Sequence, residues 1–430
     1  MNKKILLNII DKNYLLKKFL KIVIYGREYK KTFDYLLKND SLNIDKEKDL
    51  LELLKYSIDN VKFYQKQNII EMKINKFPLI TKKEIFKNEK EFISKKYNIE
   101  RLNRFSTGGT TGFSLNLYKN KVEISREVAY VDYLFYKIVG KKNYIKGILR
   151  SHDTEEGIYK VSGNKVFLSS YKITKENVEE YLKVINELKI ECLHILPSAM
   201  KILCKYIKVK KLQPKLPFLK GILSSSEVLE FEQKKEILEL FPGIKLLDLY
   251  GHTEHLNFAV SENLGIYKFY EKYGYTEFRI VEEKENFKIA EIIATGFNNR
   301  AMPLIRYKTD DYVQLNSKNE VIKILGRKQD FLIDENNNII PCIFDTREKT
   351  LNNIENFQFY QPKKGILIFK IVVLENYSKT DEEMLYEDLT NAFGKNLKIS
   401  IKVVDKIEKT IRGKQKRLIQ DFNIDEYWRL

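Results

Sequence analysis

The sequence predicts an α/β protein: a large first domain of several subdomains, built on parallel-rich sheets and helices, then a small α+β domain. Three observations lead there. Short apolar runs alternate with amphipathic helical stretches between residues 175 and 250, as in parallel strands linked by helices. From about 274 to 325 the pattern changes to consecutive strands of antiparallel style. A chain of 430 residues is also too long for one compact core, which points to two or three domains.

Taken in order, the first forty residues read as a basic amphipathic helix, with Ile5, Leu6, Ile9, Ile10, Leu15, Leu16, Phe19 and Leu20 among lysines. Such a helix either packs on the main body or makes a peripheral contact with an anionic membrane. Residues 41–100 continue helical. Pro78 sits in an extended approach to a helix start, where Thr81 is the N-cap and Glu84, three residues on, completes a capping box. The stretch Ser106-Thr107-Gly108-Gly109-Thr110-Thr111-Gly112 follows. Its glycines let backbone approach an anion closely, and its hydroxyls and N–H groups can donate to phosphate oxygens. It leads into a strand, Leu115–Tyr118, and lacks the Gly-Lys-Ser/Thr ending of a Walker loop. By itself it reads equally as a phosphate cradle or as a polar connection.

Beyond it, residues 121–139 carry helical spacing, 175–188 suggest a helix, and Cys192–Leu196 a buried strand. Ser198 caps a helix running to Ile207. Leu219–Leu223 is a strand ending in Ser224-Ser225-Ser226-Glu227, followed by a helix over 229–240 and a strand over Lys245–Tyr250. Ligand sites in such an arrangement form at the carboxyl ends of the strands. Residues 331–430 mix short strands with a helix over 381–394.

Composition narrows the function classes. A hydrophobic fraction of 43% supports packed cores and excludes wholesale disorder. The net charge of +18 suits a nucleic acid, an anionic membrane or a phosphate-rich ligand. Its lysines are scattered and no aromatic-basic recognition motif accompanies them, which argues against nucleic acid. Three cysteines without a CxxC pair and four dispersed histidines do not suggest a metal cage. They fit a reducing, cytoplasmic compartment, and no run reaches the ~18 apolar residues of a membrane span.

Four further polar clusters each follow an apolar strand: Tyr250-Gly251-His252-Thr253-Glu254, Pro303–Asp311, Gly326–Asp330 and Lys409–Arg417. In order with Thr107–Gly112, they resemble the core motifs of the adenylate-forming superfamily. The closer resemblance is to the phenylacetate-CoA ligase and CapK-type branch, the latter associated with capsular polysaccharide biosynthesis. Pro78-Leu79-Ile80-Thr81-Lys82, the Pro197-Ser198 pair and Pro303–Tyr307 favour that branch, and the likeness spans residues 75–420.

This resemblance implies a large ATP- and carboxylate-binding domain over 1–326, with a helical extension over 1–75. A hinge over 327–331 and a small mobile domain over 332–430 would follow. Ser106 and Thr107–Gly112 (Thr107, Gly108, Gly109, Thr110, Thr111, Gly112) would wrap the β- and γ-phosphates of ATP. Asp248 and Tyr250 would hold adenine, the first by accepting from its amine and the second by stacking. Ser225, Ser226, Glu227 and Gly251 would complete the nucleotide pocket. Thr253 would bond the α-phosphate and Glu254 would ligate Mg²⁺, a hard cation suited to carboxylate and phosphate oxygens. Asp311 would accept both ribose hydroxyls, and Arg327 would reach the ribose or phosphate. Lys414 would bridge the substrate carboxylate and the α-phosphate, where charge builds as pyrophosphate leaves. The implied reaction is activation of a carboxylic acid as its acyl-adenylate, then transfer to coenzyme A, an amine or a sugar hydroxyl.

Two other outcomes stay open. One is transfer of the adenylyl group itself to a cofactor, as in the coenzyme-adenylylating synthetases among the relatives. The other is a non-catalytic, basic protein that binds nucleic acid or a membrane surface on a ligase scaffold. In either case the expected place is the cytoplasm, with the basic N-terminal helix able to reach the inner face of the membrane. The chain departs from the family pattern at Phe113 and Ser114 after the loop, at Gln329 in the hinge, and at Asp310 and Ser226, where glycine is more usual.

Overall fold

The computed structural model describes residues 26–39, 46–106, 115–150, 154, 157–327, 330–342, 350–351, 353–408 and 416–427. Helix α1 covers residues 26–38, α2 covers Lys46–Asn60 and α3 is the single turn Lys62–Gln65. The helical run expected over 41–100 stops here, because Asn68 takes a left-handed backbone (φ 49°) and the chain runs extended towards Pro78. Helix α4 (Lys82–Lys87) starts as expected: the Thr81 hydroxyl accepts from the Glu84 N–H at 3.2 Å, and Glu84 accepts from the Thr81 N–H at 2.7 Å. Strands β1 (Asn103–Ser106) and β2 (Asn116–Lys119) form an antiparallel pair. Asn120 and Glu123 then make a second capping box for α5 (Lys121–Val139).

The parallel core follows: β3 (Lys146–Arg150), β4 (Tyr159–Ser162), β5 (Lys165–Ser169), α6 (Val178–Glu187), β6 (Cys192–Ile195), α7 (Pro197–Val209), β7 (Gly221–Ser225), α8 (Phe231–Leu240) and β8 (Lys245–Gly251). Pro197, not Ser198, opens α7; its fixed φ and missing N–H suit the first helical position, and Leu196 holds the cap position without a side-chain bond. Strand β7 runs two residues further than expected, since Ser224 and Ser225 pair with Asp248 and Leu249.

Antiparallel strands β9 (Phe258–Glu262), β10 (Tyr267–Phe269), β11 (Gly274–Glu283), β12 (Lys288–Gly296), β13 (Tyr307–Leu315) and β14 (Val321–Arg327) extend the same sheet. Its twelve strands lie in the order β11-β12-β13-β14-β10-β9-β8-β7-β6-β3-β5-β4. Neighbours from β5 to β8 are parallel, and the direction reverses at β8–β9. Both faces of the parallel part are covered, as parallel sheets require. Tyr181, Met200, Leu203 and Ile237 of α6, α7 and α8 pack on one face. Phe33 of α1 and Leu134, Phe135 and Ile138 of α5 pack on the other. A separate core of Leu54, Phe63, Phe77, Ile80 and Phe92 seals the antiparallel part.

The C-terminal region holds the short pair β15 (Phe331–Ile333) and β16 (Ile339–Pro341), then β17 (Ile354–Gln361), β18 (Ile366–Val373), α9 (Lys379–Phe393), β19 (Lys398–Val403) and β20 (Leu418–Gln420). Its four-stranded sheet runs β19-β18-β17-β20 and buries Phe359, Phe369, Leu385, Leu389 and Phe393. Helix α7 meets this region. Tyr206 donates to Glu355 at 2.8 Å, Lys205 to the Leu351 carbonyl at 2.7 Å, and the Lys201 ammonium lies 3.7 Å from the Phe357 ring centroid. Burial, then the nearby Arg417 charge, lowers Lys201 to about 7. Between that value and the ordinary lysine range the unfolded chain binds the extra proton, so this contribution to stability rises with pH across the window. Lys201→Met should therefore flatten the dependence of melting temperature on pH between 6.5 and 9, read by calorimetry; an unchanged slope would remove Lys201 as its source.

Candidate active site

The site forms where the sheet changes direction, at the carboxyl end of β8. Strand alternation puts Tyr250 and Asp248 on one face of β8. The Tyr250 hydroxyl donates to Asp311 Oδ2 at 2.8 Å, and Arg327 Nε donates to Asp311 Oδ1 at 3.3 Å. Asp311 on β13 and Arg327 on β14 are ladder partners, so the sheet register itself brings them together. Asp311 raises the Arg327 guanidinium further above its ordinary value against the effect of burial, which fixes it as a cation. Burial and the same carboxylate keep the Tyr250 phenol protonated.

Glu254 lies beside them, 7% exposed. His252 Nδ1 stands 3.2 Å from one of its oxygens, and Tyr307 donates to the other at 3.4 Å. Burial would raise this carboxyl, but the His252 hydrogen bond, that ring's charge and Arg327 outweigh it and hold the group at about 2. Glu254 is thus favoured as the anion. Among the described residues no group of three His, Cys, Asp or Glu side chains could hold a metal. A single ionised carboxylate fits Mg²⁺, which takes its remaining ligands from phosphate and water.

The other expected site residues are placed as follows. Ser106 ends β1 opposite Asn116 and is exposed. Thr107–Gly112, the departures Phe113, Ser114 and Gln329, and Lys414 lie outside the described residues. Gly251 and Thr253 are exposed at the mouth, with the Thr253 carbonyl taking the Lys119 ammonium. Ser225 is buried at the end of β7, and Ser226 beside it is exposed. Glu227 turns aside and accepts the Ser198 N–H at 2.9 Å. Asp248 corrects the expectation. Its side chain is 5% exposed, accepts from Tyr267 and pairs with Lys234 at 3.0 Å. Its described partners are those of a buried ion pair under α8, not of an acceptor open to adenine.

Three residues were not foreseen. Lys82 is buried at the start of α4, where Ile80 is held by backbone bonds to Arg306 and Lys308. Burial and Arg327 lower its ammonium, while Glu254 and Asp310 act the other way, so it belongs to the same charge cluster. Burial also lowers Lys119, to about 8, against the pull of Glu127 and Glu254. Arg150 closes the far flank through Ser225 and Ser226. Two sequence signals pointed at Lys82: the Pro78–Lys82 stretch that favoured the family branch, and the Thr81–Glu84 capping box, which fixes where that helix begins.

Residues 331–421 match the family described as the CapK C-terminal domain. Over 402 residues the chain is 27% identical to Protein CapK of Staphylococcus aureus, covering 86% of this chain and 87% of that protein. The chain is thus similar to CapK over most of its length. Its fold is that of adenylate-forming ligases. A 2-hydroxyisobutyryl-CoA ligase, solved in its postadenylation state with R3-HIB-AMP, superposes with a TM-score of 0.63 at 13% identity, over 87% of this chain and 89% of that one. The anthranilate CoA ligase AuaEII, in complex with anthranoyl-AMP, superposes at 0.50 with 12% identity, over 75% and 67% of the two chains. The amide bond synthetase McbA from Marinactinospora thermotolerans also reaches 0.50 at 12% identity, over 74% and 68%.

Among the described residues no helix of this chain is long and apolar enough to cross a membrane. The basic segment before residue 26 lies outside the description.

Proposed function

We propose that this protein uses ATP to activate a carboxylic acid as its acyl-adenylate, releasing pyrophosphate, and then passes the acyl group to a thiol, amine or hydroxyl. The observation that carries the proposal is the bonded set Tyr250–Asp311–Arg327 with ionised Glu254 beside it. An aromatic face, a carboxylate with lone pairs left for a diol and a fixed cation form a nucleoside site. Glu254 would hold Mg²⁺, whose charge would neutralise phosphate oxygens.

The acid's carboxylate oxygen attacks the α-phosphorus, the bond from that phosphorus to the bridging oxygen breaks, and pyrophosphate leaves with the electron pair. The nucleophile is already anionic, so no general base is needed; positioning and charge neutralisation do the work. Ser106–Gly112 would hold the outgoing phosphates, Thr253 the α-phosphate, and Lys414 the charge that builds on it. The motif resemblance to the CapK-type branch, associated with capsular polysaccharide biosynthesis, would place the reaction in cell-surface polysaccharide assembly, with a saccharide-borne hydroxyl or amine as acceptor beside coenzyme A.

The test is ATP–pyrophosphate exchange with the purified protein, Mg²⁺ and a panel of carboxylic acids. Exchange dependent on one acid, reduced about 100-fold or more in Lys414→Ala, is expected. Acid-independent exchange, or full activity in Lys414→Ala, would overturn the assignment.

A further inference from the structure

Arg150 ends β3 with a guanidinium directed along the carboxyl edge of the parallel sheet. Its Nη1 lies 2.6 Å from His194 Nε2 and donates to Ser225 Oγ at 3.0 Å, and its Nη2 donates to Ser226 Oγ at 2.7 Å. All these partners are neutral. Burial, then Arg150 and Lys146, push the His194 imidazole well below its ordinary range, and it also contacts Ser225 Oγ at 3.0 Å. Among the described residues no carboxylate forms an ion pair with Arg150. Glu227 is the carboxylate that acts on its charge, and one Glu227 oxygen is committed to the Ser198 N–H. Burial lowers Arg150 from its ordinary value, the mark of a cation short of an anion.

Position says which anion is missing. Tyr250, Asp311 and Arg327 lie on β8 and on antiparallel strands to one side of it, whereas Arg150 reaches across β6 to β7 on the other side. The family likeness would give Ser225 and Ser226 to the nucleotide pocket, but here both hydroxyls are engaged by Arg150. With Tyr250, Asp311 and Arg327 holding the nucleotide on the first flank, the acid would enter from the second. The reacting carboxylate is a poor occupant for Arg150. It loses its charge on becoming the mixed anhydride, so a guanidinium bound to it would stabilise the ground state and slow the reaction. An anionic group elsewhere on the acid keeps its charge throughout and is held equally well before and after.

We propose that the acid activated here carries a second anionic group, bound by Arg150 together with Ser225 and Ser226. This rests on the acid-activating reading above. A neutral His194 at one guanidinium nitrogen fixes its plane and leaves the charge for the ligand.

The experiment compares α,ω-dicarboxylic acids from malonic to adipic with the monocarboxylic acids of equal length, in pyrophosphate exchange by the full chain. A diacid preference of at least 10-fold in kcat/KM is expected, and Arg150→Gln should lower the diacid-to-monoacid ratio about 100-fold. An absent preference, or a ratio that Arg150→Gln leaves unmoved, would overturn the proposal. Thermal shifts separate its failure from that of the parent reading. ATP alone reports the nucleotide site. If no acid supports exchange, a melting-temperature rise with diacid that Arg150→Gln abolishes still supports the anion site, and no rise overturns it.

Discussion

Asp311→Asn should weaken ATP binding about 100-fold, read by calorimetric titration, while lowering the melting temperature only slightly. Both Asp311 oxygens already take a donor, from Tyr250 and Arg327, yet each oxygen keeps a lone pair for one ribose hydroxyl. An amide offers one acceptor oxygen and places an N–H where a hydroxyl proton has to point. Losing one charge-assisted bond and spoiling the other costs about 3 kcal/mol, or two decades of affinity. The fold tolerates the change because the Arg327 side chain is 34% exposed and can be hydrated. Unchanged ATP affinity would remove Asp311 from the nucleotide site.

Lys234→Met should have the largest effect on stability. Lys234 and Asp248 have side chains 7% and 5% exposed, with Ser261 and Tyr267 completing the Lys234 network. Removing the ammonium leaves the buried Asp248 carboxylate with the Tyr267 hydroxyl but no counter-charge, a loss of about 3–5 kcal/mol, or roughly 10 °C for a domain of this size. Replacing both partners with Lys234→Met and Asp248→Leu should recover most of that, since the pair is isolated from solvent. The same pair decides the Asp248 assignment. A structural carboxylate predicts that Asp248→Asn lowers the melting temperature and leaves ATP affinity near normal. The reverse result would return Asp248 to the adenine site.

Much of the architecture was legible in the sequence because local rules and packing agree there. Apolar runs alternating with helical stretches marked β6, β7 and β8 and the helices between them, whereas β3, β4 and β5 were not read. The Thr81–Glu84 and Ser378–Asp381 spacings are both capping boxes, the first of them read in advance. Two departures from the family pattern also acquire a physical meaning. Ser226 and Asp310, where glycine is more usual, have φ of 76° and 58°, the left-handed region that glycine enters without strain. Asp tolerates it better than most residues. Gly326 keeps its glycine at φ 95°, and a Cβ there would meet Asp330 Oδ2 at 2.7 Å. That same oxygen accepts the Arg327 N–H at 2.7 Å and so holds the turn.

By itself, then, the sequence determined the α/β class, the strand–helix order from α6 to β8 and the change to consecutive strands after residue 274. Each depends on neighbours in the chain or on side-chain period. Only the tertiary structure decided that Asp248 answers to Lys234, fourteen residues before it, and that Arg150 meets Ser226 across two strands. It alone placed Lys82 with Arg327. The reason is physical: a buried charge takes its meaning from which opposite charges share its low-dielectric surroundings, and strand order, which no local pattern encodes, sets those neighbours.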